Sequence, residues 1–568
     1  MELNAETRSV NEIFSPNKKY LVPRFQREYS WKEEEVDEFW EDIVQQIRPK
    51  TGAIENDEYF IGCIVLVGED TKPDYLIVDG QQRLTTLTIL LRCIVDRLNV
   101  LNDSPAAQAL YKNVIEGTDN DGKEYFKLVN ETPKPFFQNE LQSIRPEGLK
   151  KAETEEELLL QSTFSRFSKK IAAFKLKEHT DIETIKALRE QVLNHLKFIL
   201  VTAKSEDDAY TIFETLNARG LSLTSVDLIK NWIFKNYGQT HPNDNAKDIW
   251  NQLRKEISSF SDLETFFRHY WNSKYAFASN DRLYKSFKEL LKENRIAPAR
   301  EFLIELQNAA RLYKKIGAPL PSDWPIQKEQ AVGRALNLIN QYKVTQVRPF
   351  LLALLEAREG KLISQGPFIG AILNLEAFHF TFSNLCQERA SGLEGTYTRS
   401  AKNLHLAGKN KIKAKQVIAN LNASLVKKAP TLNKISTSLK KLTFLRQDET
   451  DKKTIQTIFR KIEHYLHETN ELQTDSISLE HIRDQSNATL PWIGNIGNII
   501  PLDEKINNGM KVGLSFKDKK KKYEKSSLKV VTQFLKDNPQ DTWNEEDSVR
   551  WANRLSELLT KATTLQRI

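Results

Sequence analysis

The sequence predicts an α+β protein in which helices predominate, with a small sheet near the N-terminus. Three observations predict this. Two β-branched runs, Phe60–Val67 and Tyr75–Val78, lie either side of a polar turn. Long stretches, about 154–196 and 245–385, repeat Leu, Ile and Phe at helical spacing. The 568 residues exceed what one ordinary core organises. The expected division is an N-terminal domain over 1–240, a helical connector over 241–390 and a C-terminal domain over 391–568.

Apolar residues make up 40% and charged residues 28% of the chain, as in globular proteins. No run is long and apolar enough to suggest a membrane span. The start, Met1-Glu2-Leu3-Asn4, lacks the basic and apolar regions of a signal peptide. Cys63, Cys93 and Cys386 are scattered in apolar surroundings. They read as buried thiols in a reducing compartment, the cytoplasm, and offer no cysteine metal site. A net charge of +7 permits a nucleic-acid partner without demanding one.

In chain order, residues 1–20 read as a short helix and a loop. Pro23 imposes an extended entry to Arg24-Phe25-Gln26-Arg27-Glu28-Tyr29-Ser30-Trp31, and Ser30 reads as the cap of a helix with Val36, Phe39, Trp40 and Ile43 inward. Arg24, Gln26 and Arg27 suit a base and a phosphate, or equally a packing loop. The two β-branched runs read as a hairpin turning at 68–74. The second ends at Asp79-Gly80, because glycine takes backbone angles closed to other residues. Gln81-Gln82-Arg83-Leu84-Thr85-Thr86 then opens a helical pattern that continues to about 115. A helix start with an arginine attracts anions, so this corner is a phosphate site or a plain polar turn.

Residues 116–146 read as loops with short strands, and 198–203 as a further strand. At 209–224 a helix ends near Asn217, Gly220 suits a left-handed position, and Thr224 or Ser225 caps the helix that follows. Asn217 and Arg219 could face the Gln81–Arg83 corner or form an ordinary joint. His379, between Phe378 and Phe380, reads as a packed histidine. Residues 390–398 read as a loop, followed by a lysine run from Lys402 to Lys415.

A second chemical centre lies near the C-terminus. After a helix over 454–469, Ser476–Ile482 alternates like a strand and carries Glu480 beside His481. Ile496–Asn508 places Asn498 and Asn507 so that a strand turning into a helix returns an asparagine to that first strand. Such a layout suits phosphodiester hydrolysis. A histidine takes a proton from water, an acid and an asparagine oxygen hold Mg²⁺ or Mn²⁺, and a second asparagine orients the imidazole. Oxygen donors without cysteine argue against zinc. Lys511, Lys517, Lys519, Lys520, Lys521 and Lys522 follow, as a polyanionic substrate would favour; a solvated helix face is the alternative.

Three motifs carry a resemblance: VPRFQREYSW at 22–31, VDGQQRLTT at 78–86 and FETLNARGLSLTSVDLIK at 213–230. They resemble the DGQQR domain of GmrSD-type modification-dependent restriction enzymes, with a fold similar to ParB and sulfiredoxin. Residues 479–526 resemble the HNH (His-Me finger, ββα-metal) nuclease domain that accompanies it. The resemblance implies binding and hydrolysis of GTP or another nucleoside triphosphate, and sensing of double-stranded DNA, with modified phage DNA as the expected form. It implies roles for Asp79, Gln81, Gln82 and Arg83. Arg83 and Thr85 at the helix start would hold phosphates, and Asp79 or a glutamine would place water or Mg²⁺. By motif, His481 is the general base, Glu480 and Asn507 are metal ligands, and Asn498 is the middle asparagine; Asn508 could replace Asn507. One departure stands out: the family has a proline two residues after the isoleucine of the histidine motif, where this chain has Asp484. A homo-oligomer or a DNA-modifying partner system is also expected.

Overall fold

A computed structural model describes residues 3–23, 26, 28–50, 53–69, 73–131, 136–144, 151–205, 224–238, 245–467, 477–485 and 490–567. Contacts group the chain into two compact units, residues 1–248 with 290–303, and residues 249–289 with 304–568. The helical stretch expected as a connector thus groups mainly with the C-terminal part.

The first unit is built on a mixed six-stranded sheet. Its strands are β1 (Leu3–Ser9), β2 (Lys19–Val22), β5 (Tyr59–Val67), β6 (Asp74–Asp79), β9 (Leu128–Asn130) and β10 (Leu196–Ala203), in the order β1-β10-β5-β6-β2-β9. Two small hairpins stand apart, β3 (Ile47–Lys50) with β4 (Ala53–Asn56), and β7 (Glu116–Thr118) with β8 (Glu124–Phe126). The expected pairing of β5 with β6 is present and antiparallel, with Val65 opposite Asp79 and Leu66 opposite Ile77.

The expected helix at the N-terminus is instead β1 followed by the short helix α1 (Val10–Phe14). β1 pairs antiparallel along its length with β10. An edge strand can alternate Asn4, Glu6 and Arg8 with small or apolar residues and remain half in water, so it carries no strong apolar signal. Ser9 ends it by capping α1, its hydroxyl accepting from the Glu12 N–H while Glu12 accepts from the Ser9 N–H.

Helix α2 (Glu33–Val44) begins later than expected. Lys32 is its N-cap, and Ser30 donates its N–H to the Gln82 side chain at 2.9 Å instead. The pattern over 86–115 is two helices, α3 (Gln81–Val100) and α4 (Ser104–Val114), separated where Asn102 takes φ +61°. α3 is the central packing element. Leu84, Leu87, Ile89, Leu90, Leu91, Ile94, Val95 and Leu98 are all within 1% of full burial. Its apolar residues join those of α2, α5 (Glu155–Ala173), α6 (Asp181–Glu190) and one face of the sheet in a single core. The other face carries a small apolar cluster of Val65, Val78, Val201 and Ala203. Thr224 caps the helix Ser225–Asn236, as expected, in a box with Asp227.

Among the described residues, the second unit is helical apart from one two-stranded ladder, β11 (Ile477–His481) with β12 (Ile499–Asp503). The ladder packs on a core shared with the helices Lys452–His467, Lys529–Asp537 and Glu545–Ala562. The stretch expected as a loop after residue 390 is a 3-10 turn leading into the helix Glu394–His405. His379 is a packed histidine: Nδ1 meets the Ser383 hydroxyl at 2.9 Å, Nε2 meets the Tyr397 hydroxyl at 2.7 Å, and burial lowers its pKa to about 4. Cys93 is buried, but Cys63 and Cys386 are only half-buried, and all three are free thiols. Among the described residues, no helix is long and apolar enough to cross a membrane.

Candidate functional sites

The N-terminal corner forms where β6 ends and α3 begins. Gly80 sits there with φ +94°, a left-handed conformation that strains any residue with a Cβ. An added Cβ would also lie 3.0 Å from Ile64 Cγ1, so the turn rests directly on β5. Gly80 supplies no capping side chain, and no acidic residue lies in the first turn. That leaves the positive end of a 20-residue helix without a counter-charge from its own first turn. Arg83 is half-buried and donates from Nη1 towards the Cys63 carbonyl at 3.4 Å. Room for its guanidinium depends on Gly62 (φ +123°), where a Cβ would stand 3.1 Å from Arg83 Cζ. Asp79 and Arg83 flank Cys63, whose thiol is pushed up chiefly by burial.

The glutamines divide into a frame and an interior. Gln26 Nε2 donates to the Val78 carbonyl at 3.0 Å, tying its loop to β6. Gln82 accepts from the Ser30 N–H and donates to the Glu28 carbonyl at 3.2 Å. Tyr29 bonds Thr86 Oγ1 at 2.8 Å. Gln26 and Gln82 are buried and committed to backbone, so they shape the corner; the half-buried Arg83, Thr85 and Asp79 are left for its chemistry. Gln81 is buried at the first helical position. Arg24, Arg27, Asn217 and Arg219 lie outside the described residues.

The C-terminal centre forms at the end of β11, where alternation sends Ile477, Leu479 and His481 inward and leaves Ser478 and Glu480 partly open. The His481 ring is 6% exposed and lies parallel to Phe444, centroids 5.4 Å apart. Nε2 meets the Phe444 carbonyl at 2.8 Å and Nδ1 meets Gln485 Nε2 at 3.0 Å, while Gln485 Oε1 accepts from the Arg446 N–H. A carbonyl only accepts and an amide NH₂ only donates, so the ring carries its proton on Nε2 and its lone pair on Nδ1. Burial, partly offset by the Phe444 carbonyl and reinforced by Lys519, holds its pKa below the ordinary histidine value. The imidazole is a neutral base with a defined tautomer.

Asn498 corrects one expectation. Its side chain makes no hydrogen bond to the imidazole, whose nitrogens meet Phe444 and Gln485 instead. It is fully buried, accepts from the Arg483 N–H (2.9 Å) and Trp543 Nε1 (3.1 Å), and donates to the carbonyls of Arg483 and Ile493. It clamps the loop after His481, so it positions the base from behind. Gly497 before it has no room for a side chain, since a Cβ would fall 2.1 Å from the Ser548 carbonyl oxygen.

Asn507 is carried back to β11 by the short helix Glu504–Asn508, as the spacing implied, and its amide donates to Ser478 Oγ. Asn508 is exposed. Asn507 Oδ1 is buried with no hydrogen-bond partner. Ser478 and Glu480 share a face of β11, so a carboxylate and an orphaned amide oxygen adjoin the same strand edge. Hard oxygen donors of this kind suit Mg²⁺ or Mn²⁺. Glu480 itself accepts from Lys519 Nζ at 2.8 Å. Among the described residues, no three His, Cys, Asp or Glu side chains form a metal cluster, so any cation here would rest on a mixed amide and carboxylate set completed by water or phosphate.

The lysine run divides by exposure. Lys511, Lys517 and Lys521 face solvent. Lys520 donates to the carbonyls of Pro539 and Gln540, and Lys522 to that of Gly509. Lys519 is a correction: its side chain is 1% exposed, it bonds inward, and it offers nothing to a polyanion. Gln485 and Phe444 were missed. The contact to Phe444 spans 37 residues and leaves no local pattern, and Gln485 falls on a loop without periodicity.

Residues 10–234 match the family described as the GmrSD restriction endonuclease, N-terminal domain, and residues 432–558 match GmrSD restriction endonucleases, C-terminal domain. No curated protein matches the chain.

Proposed function

Because the chain belongs to the GmrSD restriction endonuclease family, we propose that it is a phage-defence DNA endonuclease with two cooperating centres. The N-terminal corner binds and hydrolyses a nucleoside triphosphate, GTP or another, and senses foreign DNA, modified phage DNA foremost. The C-terminal centre cuts with a divalent cation. The observation that carries this reading is the His481 ring, fixed in one neutral tautomer at the strand end that also presents Glu480.

In this mechanism Nδ1 of His481 takes the proton of the attacking water once the Gln485 amide swings aside. The Phe444 carbonyl stabilises the positive charge that then develops on the ring. Asn498 keeps the loop, and hence the ring, in place. Glu480 and Asn507 Oδ1 would hold Mg²⁺ or Mn²⁺, which supplies neutralisation of charge at the phosphate and the leaving oxygen. At the other centre, Arg83 and the start of α3 would meet phosphate oxygens, Thr85 would offer a hydroxyl, and Asp79 would place water or Mg²⁺.

His481→Ala is expected to abolish cleavage of a panel of modified and plain phage DNAs while nucleotide hydrolysis persists. Cleavage by the pure variant would remove His481 as the base. Arg83→Ala should reduce nucleotide turnover, and unchanged turnover would sink the phosphate reading of the corner. A second reading, a nucleotide-gated DNA sensor with weak or no nuclease activity, draws on Gln485 covering Nδ1 and on Asp484 standing where the family has proline. No cleavage by the unaltered protein across that panel, with Mg²⁺ or Mn²⁺ and each nucleotide, would favour it.

A further inference from the structure

The helix Phe516–Tyr523 turns Phe516, Lys519 and Tyr523 inward, so a lysine occupies a position where an apolar residue is the ordinary choice. A buried ammonium is costly unless each of its donors is met. Here all three are: Glu480 Oε1 at 2.8 Å, the His481 carbonyl at 2.7 Å and Asp484 Oδ1 at 2.5 Å. These acceptors are the proposed ligand residue, the backbone of the proposed base, and the residue standing at the family's proline position. We infer that Lys519 is a positioning residue and resident counter-cation of the C-terminal centre, holding Glu480 to Asp484 and limiting how tightly that centre takes a divalent ion. This rests on the reading of Glu480 as a ligand.

The charge balance gives the direction. Two carboxylates face one ammonium, leaving one negative charge in the pocket. The nearby Tyr523 hydroxyl is buried without a partner and stays neutral. Lys519 bonds Glu480 Oε1, so its positive charge opposes a second cation placed on that carboxylate. Removing the ammonium leaves two carboxylates drawn towards that cation. Neutralising Asp484 instead removes one of the two negative charges facing Lys519 and weakens the attraction. Asp484 also accepts from the Gly513 N–H at 2.6 Å, so the same carboxylate ties the lysine to the loop ahead of its helix.

The test is titration of the full-length protein with Mn²⁺, reading free ion by electron paramagnetic resonance, with thermal melts in parallel. Lys519→Met, which keeps the side chain's length, should bind Mn²⁺ about tenfold or more tightly. It should melt lower without metal and recover with it. Asp484→Asn should bind several-fold more weakly. Equal or weaker binding by Lys519→Met overturns the inference. If that variant does not fold, unchanged or tighter binding by Asp484→Asn overturns it. Glu480→Gln separates the two levels: Mn²⁺ affinity surviving that change overturns the ligand reading itself. Affinity lost there, but not raised in Lys519→Met, overturns only the role of the lysine.

Discussion

His481 ends β11 and Asn498 lies in the turn that leads into β12, and the two do different work. The ring of His481 needs a lone pair aimed at a water; the amide of Asn498 needs only its four partners. Asn498→Ala would leave the Arg483 N–H, the Trp543 indole N–H and two carbonyls without an acceptor or donor in a buried site. The expected cost is about 3–5 kcal/mol, because each unmet buried group carries its own desolvation penalty. Urea unfolding measures it, and cleavage should fall together with stability. A variant as stable as the parent but inactive would instead place Asn498 in the chemistry. At this scale the sequence was informative about identity and less so about role. His481 and Glu480 announced themselves by adjacency. The duties of Asn498 and Lys519 depend on partners brought from far along the chain, Trp543 and Glu480 among them, and no local spacing encodes those.

Elements repeat the point with different physics. The β5–β6 pair and the start of α3 were legible because β-branched runs and an Asp-Gly break impose local structure. The strand β1 was not, because pairing with β10 rather than its own polar composition makes it a strand. The helix Glu394–His405 was hidden behind Ser391-Gly392-Leu393-Glu394-Gly395, where tertiary packing of Tyr397, Ala401 and Leu404 outweighs two glycines. The helical part of the second unit also carries a testable charge. Glu356, on the helix Arg348–Glu359, has its carboxyl pushed up to about 7 by burial and by Glu305 and Glu359, against the pull of Lys274; Tyr270 also feels its charge. Its folded pKa lies above its unfolded one, so below about pH 4.5 both states are protonated and nothing is lost. As pH rises to about 7 the unfolded chain ionises first, and stability falls by roughly 3 kcal/mol. Glu356→Gln removes that loss. Unfolding free energies should rise at pH 8 by about that amount and change little near pH 4.5. An equal change at both pH values would show that packing, not ionisation, was altered.

For the whole molecule the telling quantity is where the charge lies rather than its sum. The net +7 is modest for 568 residues. Of the six lysines read as a DNA contact, Lys519 is internal and Lys520 and Lys522 are bonded to backbone carbonyls, so Lys511, Lys517 and Lys521 form the exposed set. Even there Lys517 holds Asp541 at 2.8 Å and Lys521 reaches Asp518 at 3.4 Å, and both ion pairs are exposed enough to exchange for phosphate. Each phosphate neutralised releases counterions and adds about 0.9 to the slope of log K against log salt. Replacing Lys511, Lys517 and Lys521 together by alanine should therefore flatten that slope by roughly 2–3. Binding should weaken most at low salt and equally across DNA sequences, because phosphate contacts carry no base information. Stability should stay within about 0.5 kcal/mol, since none of the three is buried. A salt slope unchanged in the triple variant would mean that these lysines are a solvated helix face, and that the polyanion is held elsewhere on the chain.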